Sequence, residues 1–394
     1  MKERNRMKEI YLDNAATTRV DPQVAEKMMD AFTNNYGNPS SLHRMGIRAE
    51  QAVKEVRESI AKTLNCQSEE IFFTSGGTEG NNMIIKGIVE NKQRNRLKII
   101  TTSIEHPSVL NIFTFYESHH IDVVILSVDD KGLIDLDELK AAMDMDTILV
   151  SIIGVNNELG TIQDLKAIGK IIKDINPQCV FHTDFVQGYM KIPMDVVECQ
   201  LDALTLCGHK IFGPKGTGAV YVKRGIGLKP LMRGGGQEKN RRSGTENVPG
   251  IIGLGEAIAL RKDTYVEEME TIRKLRNRFI AGIQATTEDF KINGDPNGSP
   301  YILNLSFSQV RGEVLLHSIE DQGVYVSTGS ACSSHKKEKQ YVLTAIGLLG
   351  EYKEGTIRIS FSKDITEGDV DEAVAIIAKA VAGLRLLVKG RRRK

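Results

Sequence analysis

Apolar residues recur at helical spacing, with polar interruptions, through "SLHRMGIRAEQAVKEVRESIAKTL", residues 41 to 64, and this predicts one amphipathic helix with Ser40 or Ser41 as its N-cap. Short runs rich in β-branched and aromatic residues follow: "EIFFTS", "KIITTS", "DTILVSIIG", "CVFHTD", "DALTLC" and "GAVYVKR". Helical stretches, 164 to 175 among them, alternate with most of these runs. Such alternation predicts an α/β fold on a mostly parallel sheet. Past about residue 260 the texture changes to a charged helix over 265 to 284, two β-like runs ("YILNLSF" and "GTIRISFS") and a C-terminal helix opened by Thr366. These predict a second, smaller α+β domain. Between the two regions, the Gly-rich segment 225 to 250 is too long for an ordinary connection and predicts a functional loop.

Composition narrows the classes. The chain has 394 residues, 41% of them hydrophobic, which is enough for a large core and more than one domain. Lys plus Arg number 52 against 51 for Asp plus Glu, so no global field favours nucleic acid or an anionic membrane. Only the tail "KGRRRK" is locally basic, and it reads as a solvated end. No segment reaches the ~18 to 20 uninterrupted apolar residues of a membrane span, and no apolar stretch follows the charged start. A cytoplasmic protein is expected. The five cysteines (66, 179, 199, 207 and 332) lack CxxC spacing, which argues against a disulfide framework and a structural zinc site, and no metal is expected.

Four stretches carry candidate chemistry. In "TSGGTEGNN", residues 74 to 82, a β-run ends in small residues before an apolar-periodic segment, so backbone N–H groups would converge at a helix N-terminus as an anion cradle. Such turns are common, and this one alone does not establish phosphate binding. "FHTDFVQG" places Asp184 at the end of a run that reads as buried, where a carboxylate needs a cationic or N–H partner. "LCGHKIFGPKG" puts Lys210 just past another β-run. A lysine at the mouth of a sheet can serve as a carbonyl-condensing nucleophile, although on spacing alone a solvated loop lysine is the simpler reading. Together a phosphate grip, a buried Asp and a strand-end Lys meet the needs of pyridoxal 5′-phosphate. Finally "STGSACSS" surrounds Cys332 with small, mostly polar residues that cannot wall a thiol into a core.

The chain resembles the cysteine desulfurases of the NifS/IscS type, in the class-V aminotransferase family of fold-type I pyridoxal-phosphate enzymes. The resemblance is carried by "YLDNAATT", "YGNPSSLH", "TSGGTEGNN", "EHPSV", "GVNNELG", "HTDFVQ", "GHKIFGPKG", "GGGQEKNRRSGT" and "STGSACSS", in unbroken order from about residue 10 to 375. It implies a large cofactor-binding domain, 20–260, with a mostly parallel seven-stranded sheet. A smaller α+β domain, 1–19 and 261–394, would carry the cysteine loop at about 325–340. It assigns Lys210 to the cofactor aldehyde, Asp184 to the pyridine nitrogen, Gln187 to the ring 3′-oxygen and His106 to stacking on the ring and acid–base work. His106 also reads as a capped loop histidine before Pro107. By the same resemblance Gly77, Thr78, Cys207 and His209 surround the phosphate, and Thr245 reaches it from the other subunit of a homodimer. Asn157 and Arg358 match positions that hold the substrate carboxylate, although a lone strand arginine is more often a surface ion pair.

Cys332 is then the nucleophile. It takes sulfur from L-cysteine as a persulfide, leaving L-alanine, and carries it to a protein acceptor on a chain that Gly329, Ser330 and Ala331 leave with few steric barriers. The other four cysteines, in helical or strand-like contexts, read as packing residues. The acceptor is an iron–sulfur scaffold or a tRNA-thiolation or thiamine-pathway protein. Two departures stand out: Cys207 replaces the usual Ser, exchanging a strong hydroxyl donor for a weak one, and Phe185 replaces a small residue. A selenocysteine lyase-type enzyme and a non-catalytic sulfur-relay docking protein are the alternatives.

Overall fold

The computed structural model describes residues 8–92, 97–119, 121–328 and 340–391. Its strands are β1 (Ile10–Tyr11), β2 (Ile71–Thr74), β3 (Lys98–Thr102), β4 (Asp122–Leu126), β5 (Thr147–Ser151), β6 (Val180–Asp184), β7 (Ala203–Cys207), β8 (Gly218–Val222), β9 (Phe290–Asn293), β10 (Ile302–Phe307), β11 (Val324–Tyr325) and β12 (Thr356–Ser360). Seven form one sheet in the order β2-β8-β7-β6-β5-β3-β4. Within it β4, β3, β5, β6 and β7 run parallel, and β8 alone runs against both of its neighbours. Strands β5 to β8 are buried along their whole length, which is why they read as continuous runs and not as alternation.

Helices cover both faces of this sheet. On one, Ile60, Leu64, Ile168 and Ile172 pack with Val150, Phe181, Leu204 and Leu206. On the other, Ile85, Ile88 and Phe113 pack with Ile99, Leu149 and Val220. Each such side chain contributes roughly 1.5–3 kcal/mol on burial. A separate core joins Leu303, Leu305, Ile357 and Ile359 of the antiparallel β12-β10-β9 sheet to Ile272, Phe279 and Ile377, and it includes Ile10 and Leu12 from the start of the chain. Strand β1 reaches it by pairing in parallel with β11.

Two sequence expectations are corrected. The helix expected over 41 to 64 runs Arg44–Leu64 and is capped by neither Ser40 nor Ser41. Both serine N–H groups are taken by Asn38 in a preceding turn, and His43 is the cap, its Nδ1 accepting the Gly46 N–H at 3.2 Å. A Cβ on Gly46 would meet the Ser41 carbonyl oxygen at 2.1 Å, so the turn and the helix start require glycine there. The expected strand list also lacked the short paired strands β1 and β11, and it lacked β4 and β9. Strands β4 and β9 lie at a sheet edge and expose apolar residues, Ile125 at 42% and Ile292 at 37%.

The long 225–250 segment is tied down. Glu238 accepts two hydrogen bonds from Arg57, at 2.7 and 2.8 Å, and one from the Phe73 N–H, while Arg242 pairs with Glu79 at 2.8 Å. It ends where Asn247 caps the Val248–Ala259 helix. Among the described residues no helix is long and apolar enough to cross a membrane.

Candidate active site

A parallel sheet leaves a crevice beyond the carboxyl ends of its strands. Here β6 ends at Asp184, and β7 ends at Cys207 with a short 3₁₀ turn, Gly208–Lys210, directly after it. A cavity of about 330 Å³ opens there, and Gly77, Thr78, His106, Asn157, Asp184, Gln187, Cys207, His209, Lys210 and Arg358 all line it. The sequence-predicted site residues within the described chain therefore converge, except for Thr245. That residue is exposed on the tied-down loop and does not line the cavity.

One wall is the start of the Gly77–Val89 helix. Its N-cap, Gly76, has φ 146° and offers no side-chain acceptor, so among the described residues no side chain caps the first helical N–H groups. A Cβ on Gly77 would come within 2.8 Å of Val186. This is a cradle for an anion. Beside it His209 touches the Thr17 hydroxyl at 3.3 Å, and its pKa is held down to about 4 by burial and then by the Lys210 charge. Cys207 is fully buried, and burial pushes its thiol up to about 11.

Asp184 is satisfied by neutral donors, the Asn81 amide at 2.7 Å and the Val186 N–H at 3.0 Å. The Lys210 ammonium donates to the carbonyls of Ala15 and Ala16, and the Gln187 amide donates to the Ala15 carbonyl as well. His106 is a capping histidine, as one of its two readings had it, and it also faces the site. It is the N-cap of the Pro107–Glu117 helix, with Nδ1 accepting the Ser108 N–H at 3.1 Å, and its ring lines the cavity. Burial lowers its pKa, against the attraction of Asp184, so the neutral ring with Nδ1 accepting carries its proton on Nε2. Arg358 is a buried ion pair and not a surface one: it meets Asp13 at 2.8 Å and the Asn157 carbonyl at 3.0 Å, and its Nε has no partner among the described residues.

Cys332, with Gly329, Ser330 and Ala331, lies outside the described residues. The residues on either side of that segment do not: Ser327 and Thr328 before it, and Gln340 and Tyr341 after it, line the cavity. Of the other cysteines, Cys179 precedes β6 and Cys207 ends β7, whereas Cys66 and Cys199 occupy turns and not the regular elements expected of them. Burial raises all four thiols, to about 12 for Cys66 and Cys179 and about 11 for Cys199 and Cys207.

Sequence reasoning singled out neither the Ala15 and Ala16 carbonyls nor Glu158. "YLDNAATT" was legible as a motif, but backbone acceptors leave no side-chain signal.

The class-V aminotransferase family model matches residues 10–373. The chain belongs to the class-V aminotransferase family. It is 41% identical over 377 residues to the cysteine desulfurase IscS of Clostridium botulinum, covering 95% of this chain and 94% of that one. It superposes on a NifS-like protein with a TM-score of 0.90 at 38% identity, over 95% of this chain and 100% of the other. A structure of SspA in complex with cysteine matches at a TM-score of 0.80 and 36% identity, over 90% of this chain and 99% of the other. The family depends on pyridoxal 5′-phosphate, and the residues present fit that group. A helix N-terminus without a side-chain cap, a buried carboxylate and a lysine share one cavity, and the Asn157 Oδ1 and Arg358 Nε atoms there are buried without partners among the described residues.

Proposed function

We propose that this chain is a pyridoxal-phosphate-dependent cysteine desulfurase, converting L-cysteine to L-alanine and a persulfide on Cys332. One observation carries the reading: both flanks of the segment containing Cys332 line the cavity that Lys210, Asp184 and His106 share. Cys332 is four residues beyond Thr328, a span of at most ~14 Å, which matches a thiol that serves this cavity.

When bound, the cofactor supplies an aldehyde for amines and a ring that accepts electrons from the substrate Cα. Lys210 offers the amine and then moves the Cα proton. Asp184 would keep the ring nitrogen protonated, Gln187 would serve the ring oxygen, and Gly77, Thr78, Cys207 and His209 would hold the phosphate. Asn157 and Arg358 hold the substrate carboxylate. The Cys332 thiolate attacks the substrate sulfur: an S–S bond forms and the Cβ–S bond breaks. Its electron pair ends, with a proton, on the carbon that becomes the methyl group of L-alanine. His106, with Nδ1 taken by Ser108, presents Nε2–H as the nearby proton donor. Incubation with L-cysteine and a thiol reductant is expected to give L-alanine and sulfide in equal amounts. Pyruvate and ammonia in place of L-alanine would overturn the reading.

The protein works as a homodimer in this reading. Met29, Phe32, Tyr36, Leu42 and Ile47 are more than half exposed on and between the Pro22–Thr33 and Arg44–Leu64 helices, an apolar surface that a second copy would cover. Thr245, which does not line its own cavity, then completes the partner's phosphate site. The chain divides into a larger unit, 20–260, and a smaller one, 1–19 and 261–394; the larger cores follow that division, and a smaller cluster joins Ile104, Ile153 and Leu159 to Val342, Leu343 and Ile346 across it. It acts in the cytoplasm, and its acceptor is an iron–sulfur scaffold or a tRNA- or thiamine-thiolation protein.

Cys207 bears on cofactor retention. Cys207→Ser restores a hydroxyl to the cavity wall, and a hydrogen bond to a charged oxygen contributes about 1.5–3 kcal/mol. Slower cofactor loss on dialysis is expected, read from the visible absorption of the retained protein. Equal or faster loss would mean that the side chain does not face the phosphate.

A further inference from the structure

Glu158 is a carboxyl in the wrong place for a structural residue. It is 5% exposed, it lines the cavity next to Asn157, and its backbone is fixed on both sides. Its N–H donates to the Asn156 Oδ1 at 2.9 Å, and its carbonyl accepts the Asn304 amide at 3.2 Å. Its Oε2 is buried with no hydrogen-bond partner among the described residues, and the same is true of the Asn157 Oδ1 and the Arg358 Nε. A buried polar group left unpaired costs on folding, and three from residues lining one cavity mark a place prepared for something polar that arrives later.

We propose that Glu158 is a third anchor for the substrate carboxylate, acting in its protonated form: its O–H donates to the carboxylate that Asn157 and Arg358 hold, and its ionised form repels that carboxylate. This rests on the desulfurase reading and names how the same site selects an amino acid. The arginine cannot serve both carboxylates fully, because Asp13 already occupies one of its amino groups at 2.8 Å. Burial raises the Glu158 pKa to about 7, against the opposing pull of Arg358. Among the described residues the other charged or titratable groups on the cavity wall are His106, Asp184, Cys207, His209, Lys210 and Tyr341, and none of them is a cause of the Glu158 shift. The sign follows: the carboxyl is neutral below about pH 7 and charged above it. Binding of a carboxylate therefore weakens as pH rises.

The test uses the cofactor-loaded protein and L-alanine, which has the carboxylate but no sulfur to lose, with ethylamine as the probe that lacks the carboxylate. Binding is read from the visible spectrum between about pH 6 and pH 9, for the parent and for Glu158→Gln, whose amide donates at every pH. The ratio of the two dissociation constants for L-alanine cancels every pH effect that the proteins share. It is expected to rise by about tenfold per pH unit above the Glu158 pKa, and for ethylamine it should stay flat. Glu158→Met, which cannot donate, should bind L-alanine more weakly than Glu158→Gln at every pH. Should both variants misfold, the parent decides alone, because only L-alanine should show the break near neutrality. A flat ratio, or the same break with ethylamine, overturns the role of Glu158. A parent spectrum that L-alanine never changes would overturn the desulfurase reading itself.

Discussion

Lys210→Ala protein is expected to lose turnover of L-cysteine by about 10⁴-fold or more, beyond the usual cost of removing one positioned acid or base, because the same amine has two duties. It engages the cofactor aldehyde and then moves the substrate proton. The parent should be yellow, with visible absorption that borohydride abolishes, and the variant should lack that signature. Among the described residues no other lysine lines the cavity. Lys191 is the nearest buried lysine, with its pKa lowered to about 7 by burial, but it lies behind Gln187 at 3.5 Å from Oε1 and does not line the cavity. A variant that desulfurates at the parent rate without added amine would show the assignment to be wrong. The structure explains why the lysine reaches the cavity. The Gly208–Lys210 turn follows the carboxyl end of β7, an interior strand of the sheet, and the Ala15 and Ala16 carbonyls hold the ammonium there.

The large sheet was legible because its central strands are buried on both faces and read as unbroken apolar runs. The edge strands β4 and β9 gave no such signal, whereas β2 and β12, also at edges, are buried along their length and did. In β4, "DVVIL", only Leu126 is fully buried, and in β9 only Asn293 is, so neither had the uniform pattern of β5 or β7. The cap at His43 was illegible for a different reason: two serines at the expected position are the usual choice, and only the Asn38 turn, which claims their N–H groups, moves the helix start. At the site, residues with an unusual demand were visible. Asp184 needed a partner at the end of a buried run and found Asn81 and Val186. Glu158 was not visible, since an acidic residue in "GVNNELG" reads as an ordinary turn. What sets it apart is burial without a partner, which is a property of the folded chain.

Cys332→Ser separates binding from transfer. Serine keeps the size of the side chain but is hardly ionised near neutral pH, whereas a thiol is partly so and is the better nucleophile. Lys210, Asp184, His106 and Arg358 remain in place, so the variant is expected to bind pyridoxal phosphate and to change its spectrum with L-cysteine, yet to form no persulfide. None of the four described cysteines can substitute. A thiol raised to about 12, as for Cys66 and Cys179, is only roughly one part in 10⁵ thiolate at pH 7. Cys207 does line the cavity, but it is fully buried with its thiol raised to about 11, and at the end of β7 it has no route to an acceptor protein. A nucleophile that must serve the cavity and then an outside partner has to come from a segment anchored at the cavity's rim, and Thr328 and Gln340 bracket one that carries a cysteine. Mass spectrometry of the parent after brief exposure to L-cysteine without reductant should find one extra sulfur on the peptide containing "STGSACSS". Sulfur on a peptide carrying Cys66, Cys179, Cys199 or Cys207, or normal delivery by Cys332→Ser, would remove Cys332 from the reaction.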